Sequence, residues 1–229
     1  MAKIDFAPLQ QQYWRQGDPT GWFEPAYAQA NGDRAAIPWA EKGINPHLID
    51  WASRVALNGV GKTALVIGCG LGDDAEYLAT LGFAVTAFDI SPTAVAWCRE
   101  RFPQSPANYV VADLFAPALP AFDFVLESYT LQALPRSLRV RAVAAIAALV
   151  KDRLLVICRG CDVPEVDEVI PWPLTRGELA GLAAAGLREA SFEDFHDRKE
   201  PPRRRFRIEY RQPASEGDRL GDDASRLPA

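Results

Sequence analysis

The sequence predicts an α/β fold in which helices cover both faces of a largely parallel sheet. Short apolar runs recur at a spacing of about 20 residues, and helix-forming stretches with clear start signals lie between them. Two further β-rich runs near the end are separated only by a charged turn, which is typical of an antiparallel hairpin. Alternating strands and helices form right-handed parallel crossovers, so we expect a doubly wound sheet with a reversed edge.

The individual elements follow from these patterns in chain order. The predicted strands are residues 64–68, 84–90, 108–114, 121–128, 153–159, 191–195 and 203–210. The predicted helices are residues 46–56, 73–81, 92–102, 139–150 and 174–186. Asn45-Pro46 and Ser91-Pro92 are start signals for two of these helices, and Gly82 ends a third. The arginines at 203–205 are expected to form the solvated start of the last strand.

Size, charge and hydropathy narrow the classes of function. A chain of 229 residues with 48% apolar content can bury one sizeable core, and its formal charge of −5 argues against a broad nucleic-acid surface. It contains no apolar run of about 18 residues and no apolar signal segment at its start. We therefore expect a cytoplasmic protein that binds neither nucleic acid nor membranes.

Metal and redox chemistry have little support in the sequence. His47 and His196 are isolated, so we predict no metal site. Cys158 and Cys161 have C-x-x-C spacing at the end of a strand, but no second cysteine pair accompanies them. A zinc site is therefore disfavoured, and a redox pair stays a minor alternative to ordinary reduced thiols.

The chain divides into three predicted parts. Residues 1–44 carry many aromatic side chains between repeated glycines and prolines, which prevents one regular element and favours a flap or lid. The alternative is that these aromatic residues simply pack on the main core. Residues 45–211 form the main domain, and residues 212–229 are polar and aperiodic, which predicts a disordered tail.

A stretch that resembles a phosphate-binding loop is interpreted as a plain turn. Residues 56–63, ALNGVGKT, end in Gly-Lys-Thr, but a strand follows them directly. A phosphate loop instead needs a strand before it and a helix after it, because the helix N-terminus must face the phosphates. Lys62 is therefore expected to be a solvated turn residue, and nucleotide hydrolysis is disfavoured.

A glycine-rich turn joins the first predicted strand to its helix. Gly68, Gly70 and Gly72 alternate with larger residues, and such glycines allow a sharp turn and close approach of a ligand to the backbone. Asp73 and Asp74 follow at once, where a dinucleotide site would place the pyrophosphate. Two carboxylates there repel a diphosphate, so we expect a cationic or zwitterionic ligand.

Two acids follow at the ends of the next predicted strands. Asp89 can accept both hydroxyl groups of a ribose, and Ser91 fills the alternative role of helix cap. Asp113 can accept from the exocyclic amine of adenine, with Ile90 and Leu114 on either side of the ring. A plain turn at the end of the strand is the alternative for Asp113.

The motifs GCGLGDD, FDIS and ADLF, in this order and spacing, resemble those of the class I S-adenosylmethionine-dependent methyltransferases over about residues 45–210. The resemblance implies a Rossmann-like, seven-stranded sheet of order 3-2-1-4-5-7-6 with an antiparallel last strand, and S-adenosylmethionine as cofactor. It implies cofactor contacts at Trp39, Gly68, Gly70, Gly72, Asp89, Ile90, Asp113, Leu114, Glu127 and Ser128. Val66 stands where most of the family has an acid. The thiopurine, thiol and halide methyltransferases also tend to lack this acid. The segments IPWAEKGINPHL and PWPLTRGEL resemble the same subgroup.

The function expected from this resemblance is methyl transfer to a small molecule, with a thiol or other soft nucleophile as acceptor. A thiolate or halide needs no general base, so catalysis depends on positioning and exclusion of water. Trp39, Tyr129 and Cys161 are candidates for contact with the acceptor, with packing as the alternative for each. An O- or N-methyltransferase acting on a metabolite or protein, and a non-catalytic cofactor-binding regulator, are the alternative functions.

Overall fold

A computed structural model describes residues 4–39, 43–164 and 171–213. Eight strands within these described residues form one mixed sheet. They are β1 (Thr63–Ile67), β2 (Ala84–Asp89), β3 (Asn108–Val111), β4 (Phe122–Ser128), β5 (Val150–Cys161), β6 (Leu174–Thr175), β7 (Arg188–His196) and β8 (Arg204–Arg211). The α-helices of the described residues are α1 (Ala7–Arg15), α2 (Phe23–Ala30), α3 (Pro46–Arg54), α4 (Asp73–Thr80), α5 (Pro92–Arg101), α6 (Arg136–Ala148), α7 (Arg176–Leu179) and α8 (Gly181–Ala184).

The strand order confirms the predicted topology and adds one short strand. The order is β3-β2-β1-β4-β5-β8-β7, which equals the predicted 3-2-1-4-5-7-6 once the two hairpin strands are numbered consecutively after β5. The additional strand, β6, pairs with β5 and lies outside this path. The pairs among β1 to β5 are parallel, whereas β8 runs antiparallel to both β5 and β7.

The parallel register brings the ends of three strands to one edge of the sheet. Ile67 of β1 pairs with Phe88 on one side and with Glu127 on the other. The residues that follow β1, β2 and β4 therefore emerge together, at what we call the carboxyl edge. In open α/β sheets this edge is where ligands bind.

Each face of the sheet has its own apolar core. On one face, Leu65, Ile67 and Val125 pack with side chains of α6, α7 and α8. On the other, Val66 and Leu126 pack with side chains of α3, α4 and α5. Successive side chains of a strand point to opposite faces, so residues 64–67 of β1 and 124–126 of β4 are continuous apolar runs because both faces are buried there.

The predicted helix over residues 174–186 is wrong in its first part and interrupted in its middle. Leu174 and Thr175 form β6 instead, and Thr175 then caps α7 in a capping box with Glu178. A capping residue has extended backbone angles, which explains why the residues before it join the sheet. Helix α8 follows as a separate short helix that begins at Gly181.

The aromatic N-terminal segment, residues 4–39, forms two short helices rather than one long element. Trp22 and Tyr27 are buried with Leu71 and Ala94 of the main domain in a third apolar cluster. The predicted boundary at residue 44 and the lid role stay predictions. The predicted disordered tail lies mostly outside the described residues, which end at 213. Among the described helices, none is long and apolar enough to cross a membrane.

The expectation that Arg205 is solvated is wrong. Its side chain is 4% exposed, and Nη2 lies 2.8 Å from Oδ2 of Asp197, whose side chain is 2% exposed. Arg204, the next residue along β8, points to the other face and pairs with Asp194 in a partly exposed salt bridge. Strand alternation therefore buries one arginine of this run and leaves its neighbour at the surface.

Asp197→Asn should lower the free energy of unfolding by about 3 kcal/mol, because it leaves the buried Arg205 charge without a counterion. Asp194→Asn is the matched control, since its pair with Arg204 is solvated and should contribute little. Urea unfolding followed by circular dichroism measures both variants. Equal losses in the two variants would contradict the assignment of Asp197 and Arg205 as a buried pair.

Candidate functional site

The glycine turn at the carboxyl edge has a backbone conformation that only glycine adopts easily. Gly68, Gly70 and Gly72 have φ angles of 59°, 55° and 85°. A Cβ at Gly68 would lie 2.4 Å from Oγ1 of Thr130, and one at Gly72 would lie 2.8 Å from the hydroxyl of Tyr109. At these two positions, protein packing alone therefore requires glycine.

Gly70 differs from its two neighbours because it faces the N-terminal segment. A Cβ there would lie 3.3 Å from the hydroxyl oxygen of Tyr27, with no other atom within 4 Å. Tyr27 also accepts a hydrogen bond of 3.0 Å from Nε1 of Trp39. Trp39, predicted to lie at the cofactor, is thus connected to the glycine turn through Tyr27, a residue that the sequence analysis did not single out.

Asp89 lies at the end of β2 and bonds both neighbouring turns. Its Oδ2 accepts from the backbone N–H of Gly70 at 2.9 Å, and its Oδ1 accepts from that of Ser91 at 3.0 Å. Burial raises the pKa of Asp89, and these backbone bonds oppose the rise only in part. The two carboxylate oxygens together have four acceptor sites, so the backbone donors Ser91, Gly70 and Ile90 leave room for a further donor.

Ser91, as predicted, is the cap of α5. Its hydroxyl accepts from the N–H of Ala94 at 3.0 Å. Asp89 is therefore not the cap of this helix, and that alternative role is excluded.

The two acids after the glycine turn are engaged with the protein, which changes the argument made from sequence. Asp73 accepts two hydrogen bonds from Arg101, at 2.9 and 3.0 Å, and lies 3.6 Å from Arg34. Asp74 accepts from the N–H of Asn45 at 2.7 Å. Arginines balance the charge of Asp73. The prediction that this turn excludes a diphosphate can therefore no longer rest on repulsion by two free carboxylates.

The predicted adenine-binding residues lie just beyond β3. Asp113 is exposed, and its Oδ1 accepts from the N–H of Phe115 at 2.8 Å. Leu114 is buried and Ile90 is half-buried. The side-chain bond to residue 115 agrees with the turn alternative for Asp113, and it leaves the second carboxylate oxygen available to a ligand.

At the end of β4, Glu127 is a fully buried acid with one oxygen that has no partner. Its Oε1 accepts from the N–H of Leu131 at 2.8 Å, whereas Oε2 makes no hydrogen bond. Burial raises its pKa to about 7, although backbone N–H groups of Leu131 and Thr130 lower it. Ser128, the next residue, accepts from Nδ2 of Asn45 at 2.9 Å.

Tyr129 has a backbone conformation that is unusual for its residue type. Its φ is 68°, and the Arg205 guanidinium lies over its ring at 5.1 Å. Left-handed backbone at a bulky residue has an energetic cost, and such residues cluster at functional sites. The buried pair of Arg205 and Asp197, which sequence reasoning missed, thus supports the ring of a predicted acceptor-side residue.

The predicted candidates Cys158 and Cys161 do not form a pair. They lie three residues apart on β5, so their side chains point to opposite faces of the sheet. Cys158 is fully buried, and burial raises the pKa of its thiol well above the ordinary value. Cys161 ends the strand at the carboxyl edge and is half-buried. The structure therefore does not support the minor alternative of a redox pair. Among the described residues, no cluster of acids, cysteines and histidines could hold a metal.

The N-terminal segment lies across the carboxyl edge. At one end Trp14 of α1 packs on Trp172, with ring centroids 5.2 Å apart. At the other end Glu24 of α2 accepts hydrogen bonds from Ser91 and Thr93 at the start of α5. An open cleft of about 180 Å³ lies instead at the opposite edge of the sheet, and exposed Lys62 lines it.

The matched family model agrees with this geometry. Residues 64–153 match the model of a family described as "Methyltransferase domain". This range contains the glycine turn, Asp89, Asp113, Glu127 and Ser128. A comparison with curated proteins finds no match.

Solved structures with the same fold include methyltransferases. One, described by "Conversion of a Disulfide Bond into a Thioacetal Group during Echinomycin Biosynthesis", has a TM-score of 0.68 and 20% identity over 92% of this chain and 99% of that chain. The 1,6-didemethyltoxoflavin-N1-methyltransferase of Burkholderia thailandensis, with bound S-adenosylhomocysteine, has a TM-score of 0.65 and 19% identity over 93% of each chain. Magnesium protoporphyrin IX methyltransferase of Synechocystis PCC 6803 has a TM-score of 0.65 and 16% identity over 83% of this chain and 98% of that chain.

At these identities the structural likeness shows the fold alone, and the family match covers residues 64–153. The fold is the Rossmann-like α/β fold of class I methyltransferases, as predicted. Residues 64–153 match a methyltransferase domain, and the neighbour from Burkholderia thailandensis binds S-adenosylhomocysteine. The thiopurine, thiol and halide subgroup is not established by these comparisons.

Glu127→Gln should stabilise the protein increasingly as pH rises. The folded-state pKa of about 7 lies above the ordinary 4.5, so the folded protein binds more protons than the unfolded chain between these values. Wild-type stability is therefore lost as pH rises to about 7, whereas neutral glutamine avoids this loss. The difference in unfolding free energy should grow by about 3 kcal/mol between about pH 5 and pH 8. Denaturant titrations at several pH values that gave a constant difference would contradict the raised pKa.

Proposed function

We propose that this protein transfers the methyl group of S-adenosylmethionine to a small molecule whose nucleophile is a thiol or another soft atom. The observation that carries the proposal is the meeting of the glycine turn, Asp89 and the end of β4 at one edge, beneath an aromatic segment. The thiol part rests on weaker support. It consists of the sequence similarity to thiol methyltransferases and the fold shared with a protein of sulfur chemistry.

The residues present fit the cofactor on two structural grounds. Asp89 keeps acceptor capacity beyond its backbone hydrogen bonds, as a bond from a ribose hydroxyl requires. Gly70 has open space on its Cβ side apart from the Tyr27 hydroxyl, so a ligand can approach its backbone. In the proposed arrangement Asp89 binds the ribose, and Asp113 binds the adenine amine with Ile90 and Leu114 beside the ring. The remaining part of the cofactor is surrounded by the other predicted residues, Gly68, Gly70, Gly72, Glu127, Ser128 and Trp39.

The cofactor supplies an electrophilic methyl group on a sulfonium, which leaves as a neutral thioether. The chain's own contribution is to orient the acceptor on the line of that bond and to exclude water. Tyr129 and Cys161, at the ends of β4 and β5, are the proposed acceptor-side residues. The strained backbone of Tyr129 and the guanidinium on its ring hold the phenol in one orientation, which suits a positioning role.

A second candidate function is methylation of an oxygen or nitrogen, and one observation favours it. A protonated amine or hydroxyl needs a base whose pKa lies near the working pH. Glu127, with a pKa of about 7 and an oxygen without a partner, has that property. A thiolate acceptor would leave this group without a catalytic task.

The test of the proposed function measures conversion of S-adenosylmethionine to S-adenosylhomocysteine with a panel of thiols, halides, amines and hydroxyl compounds. We expect turnover above background with thiols or halides, and methylated product in equal amount by mass spectrometry. Turnover with amines or hydroxyl compounds alone would favour the second candidate. No turnover with any class would contradict the small-molecule function.

The variant Asp89→Ala tests the proposed contact with the ribose in a binding measurement. Wild-type protein should bind S-adenosylhomocysteine in the micromolar range, about −7 to −8 kcal/mol. The variant should bind at least about tenfold more weakly, because charge-assisted bonds to the ribose are lost. Equal calorimetric affinity of variant and wild type would contradict the ribose assignment.

The proposed lid, residues 1–44, predicts cofactor-dependent protection from protease. Arg15 and Arg34 are exposed within the N-terminal segment, so trypsin should cut there more slowly when S-adenosylhomocysteine is bound. Cleavage at exposed Lys62, on the opposite edge of the sheet, is the internal control and should not change. Deleting residues 1–40 should abolish transfer while far-ultraviolet circular dichroism still reports the sheet. Unchanged cleavage at both arginines, with full turnover of the truncated protein, would show that the segment is only packing.

A further inference from the structure

Helix α2 contacts both turns that hold Asp89. Its Glu24 carboxylate accepts from the Ser91 hydroxyl at 2.6 Å, and from the N–H and the hydroxyl of Thr93 at 3.0 and 2.6 Å. Three residues later, Tyr27 lies on the same face of α2 and places its hydroxyl at Gly70. Gly70 and Ser91 each donate a backbone N–H to Asp89.

The Glu24 contact completes the start of α5 from a distant part of the chain. The first N–H groups of a helix have no partner inside the helix, and an anion there is favoured by the helix dipole. The Ser91 hydroxyl cannot serve every one of them, since it accepts from Ala94. Glu24 takes the N–H of Thr93, and the bonds from Ser91 and Thr93 outweigh burial and lower its pKa.

Ser91 is the connecting residue between Glu24 and Asp89. Its hydroxyl donates to Glu24, while its backbone N–H donates to Asp89. A shift of α2 away from α5 therefore removes a bond from the residue that fixes one oxygen of Asp89. The same shift withdraws Tyr27 from Gly70, which fixes the other oxygen.

From this arrangement, and resting on the proposed function, we infer that Glu24 is a positioning residue for the cofactor. By holding α2 against Ser91 and Thr93, it keeps Asp89 in place for the ribose. Docking of the N-terminal segment and binding of the cofactor then favour each other. Glu24 touches neither the methyl group nor the acceptor, so its loss should act on cofactor affinity rather than on the transfer step.

The test uses the full chain and the variant Glu24→Gln, which keeps the shape of the side chain and removes its charge. Its dissociation constant for S-adenosylhomocysteine should rise about tenfold, with kcat at saturating cofactor little changed. Protection of Arg15 and Arg34 from trypsin should need correspondingly more ligand. Glu100→Gln, at an exposed position on α5, is the matched control and should behave as wild type.

A second variant changes the donor of the same contact, Thr93, instead of the acceptor Glu24. Thr93→Val removes the hydroxyl that donates to Glu24, and its effect on affinity should not add to that of Glu24→Gln in the double variant. Thermal unfolding of the free proteins identifies a purely structural effect, which would lower stability without changing affinity.

The outcomes separate this inference from the proposed function. Wild-type binding with unchanged or tighter affinity in Glu24→Gln, or strictly additive losses in the double variant, would overturn the inference alone. Failure of the wild-type protein to bind S-adenosylhomocysteine would overturn the proposed function and the inference with it.

Discussion

The parallel pairing of β1 with β2 and β4 is the constraint on which the rest of this structure depends. It places the residues after each strand side by side, so that one carboxylate, Asp89, can bond the turn after β1 and the turn before α5 at once. Helix α2, the glycine turn and the end of β4 are all organised around that point. A change of register in either pair would separate these groups, because neighbouring residues on a strand face opposite sides.

Much of the fold was predictable because local signals and buried runs agree. The apolar runs of β1 and β4, the Ser91-Pro92 start of α5 and the charged turn of the hairpin each specify their element without help from distant residues. Where prediction failed, a competing local interaction decided the outcome. Thr175 is the clear case, since its capping box with Glu178 extends the preceding backbone and turns a predicted helical start into β6.

The candidate site was predictable only as far as its chain order. Sequence spacing gave the residues at the strand ends, but not the partners that determine their charge. Asp73 appeared free and is paired with Arg101, while Arg205 appeared solvated and is buried against Asp197. Glu24 and Tyr27 come from a segment whose path over the sheet no local pattern encodes. Such long-range pairs depend on tertiary packing, and the only advance signal was their three-residue spacing on one helix.

The close approach of Thr130 to the bare backbone of Gly68 has a consequence for sequence variation. The threonine hydroxyl lies where a side chain at residue 68 would begin, and it donates to the carbonyl of Ile67 at 3.0 Å. The two positions therefore form one steric unit that joins the end of β1 to the residues after β4. A library that randomises the residues after β4 would also perturb the glycine turn, unless residue 130 were held fixed.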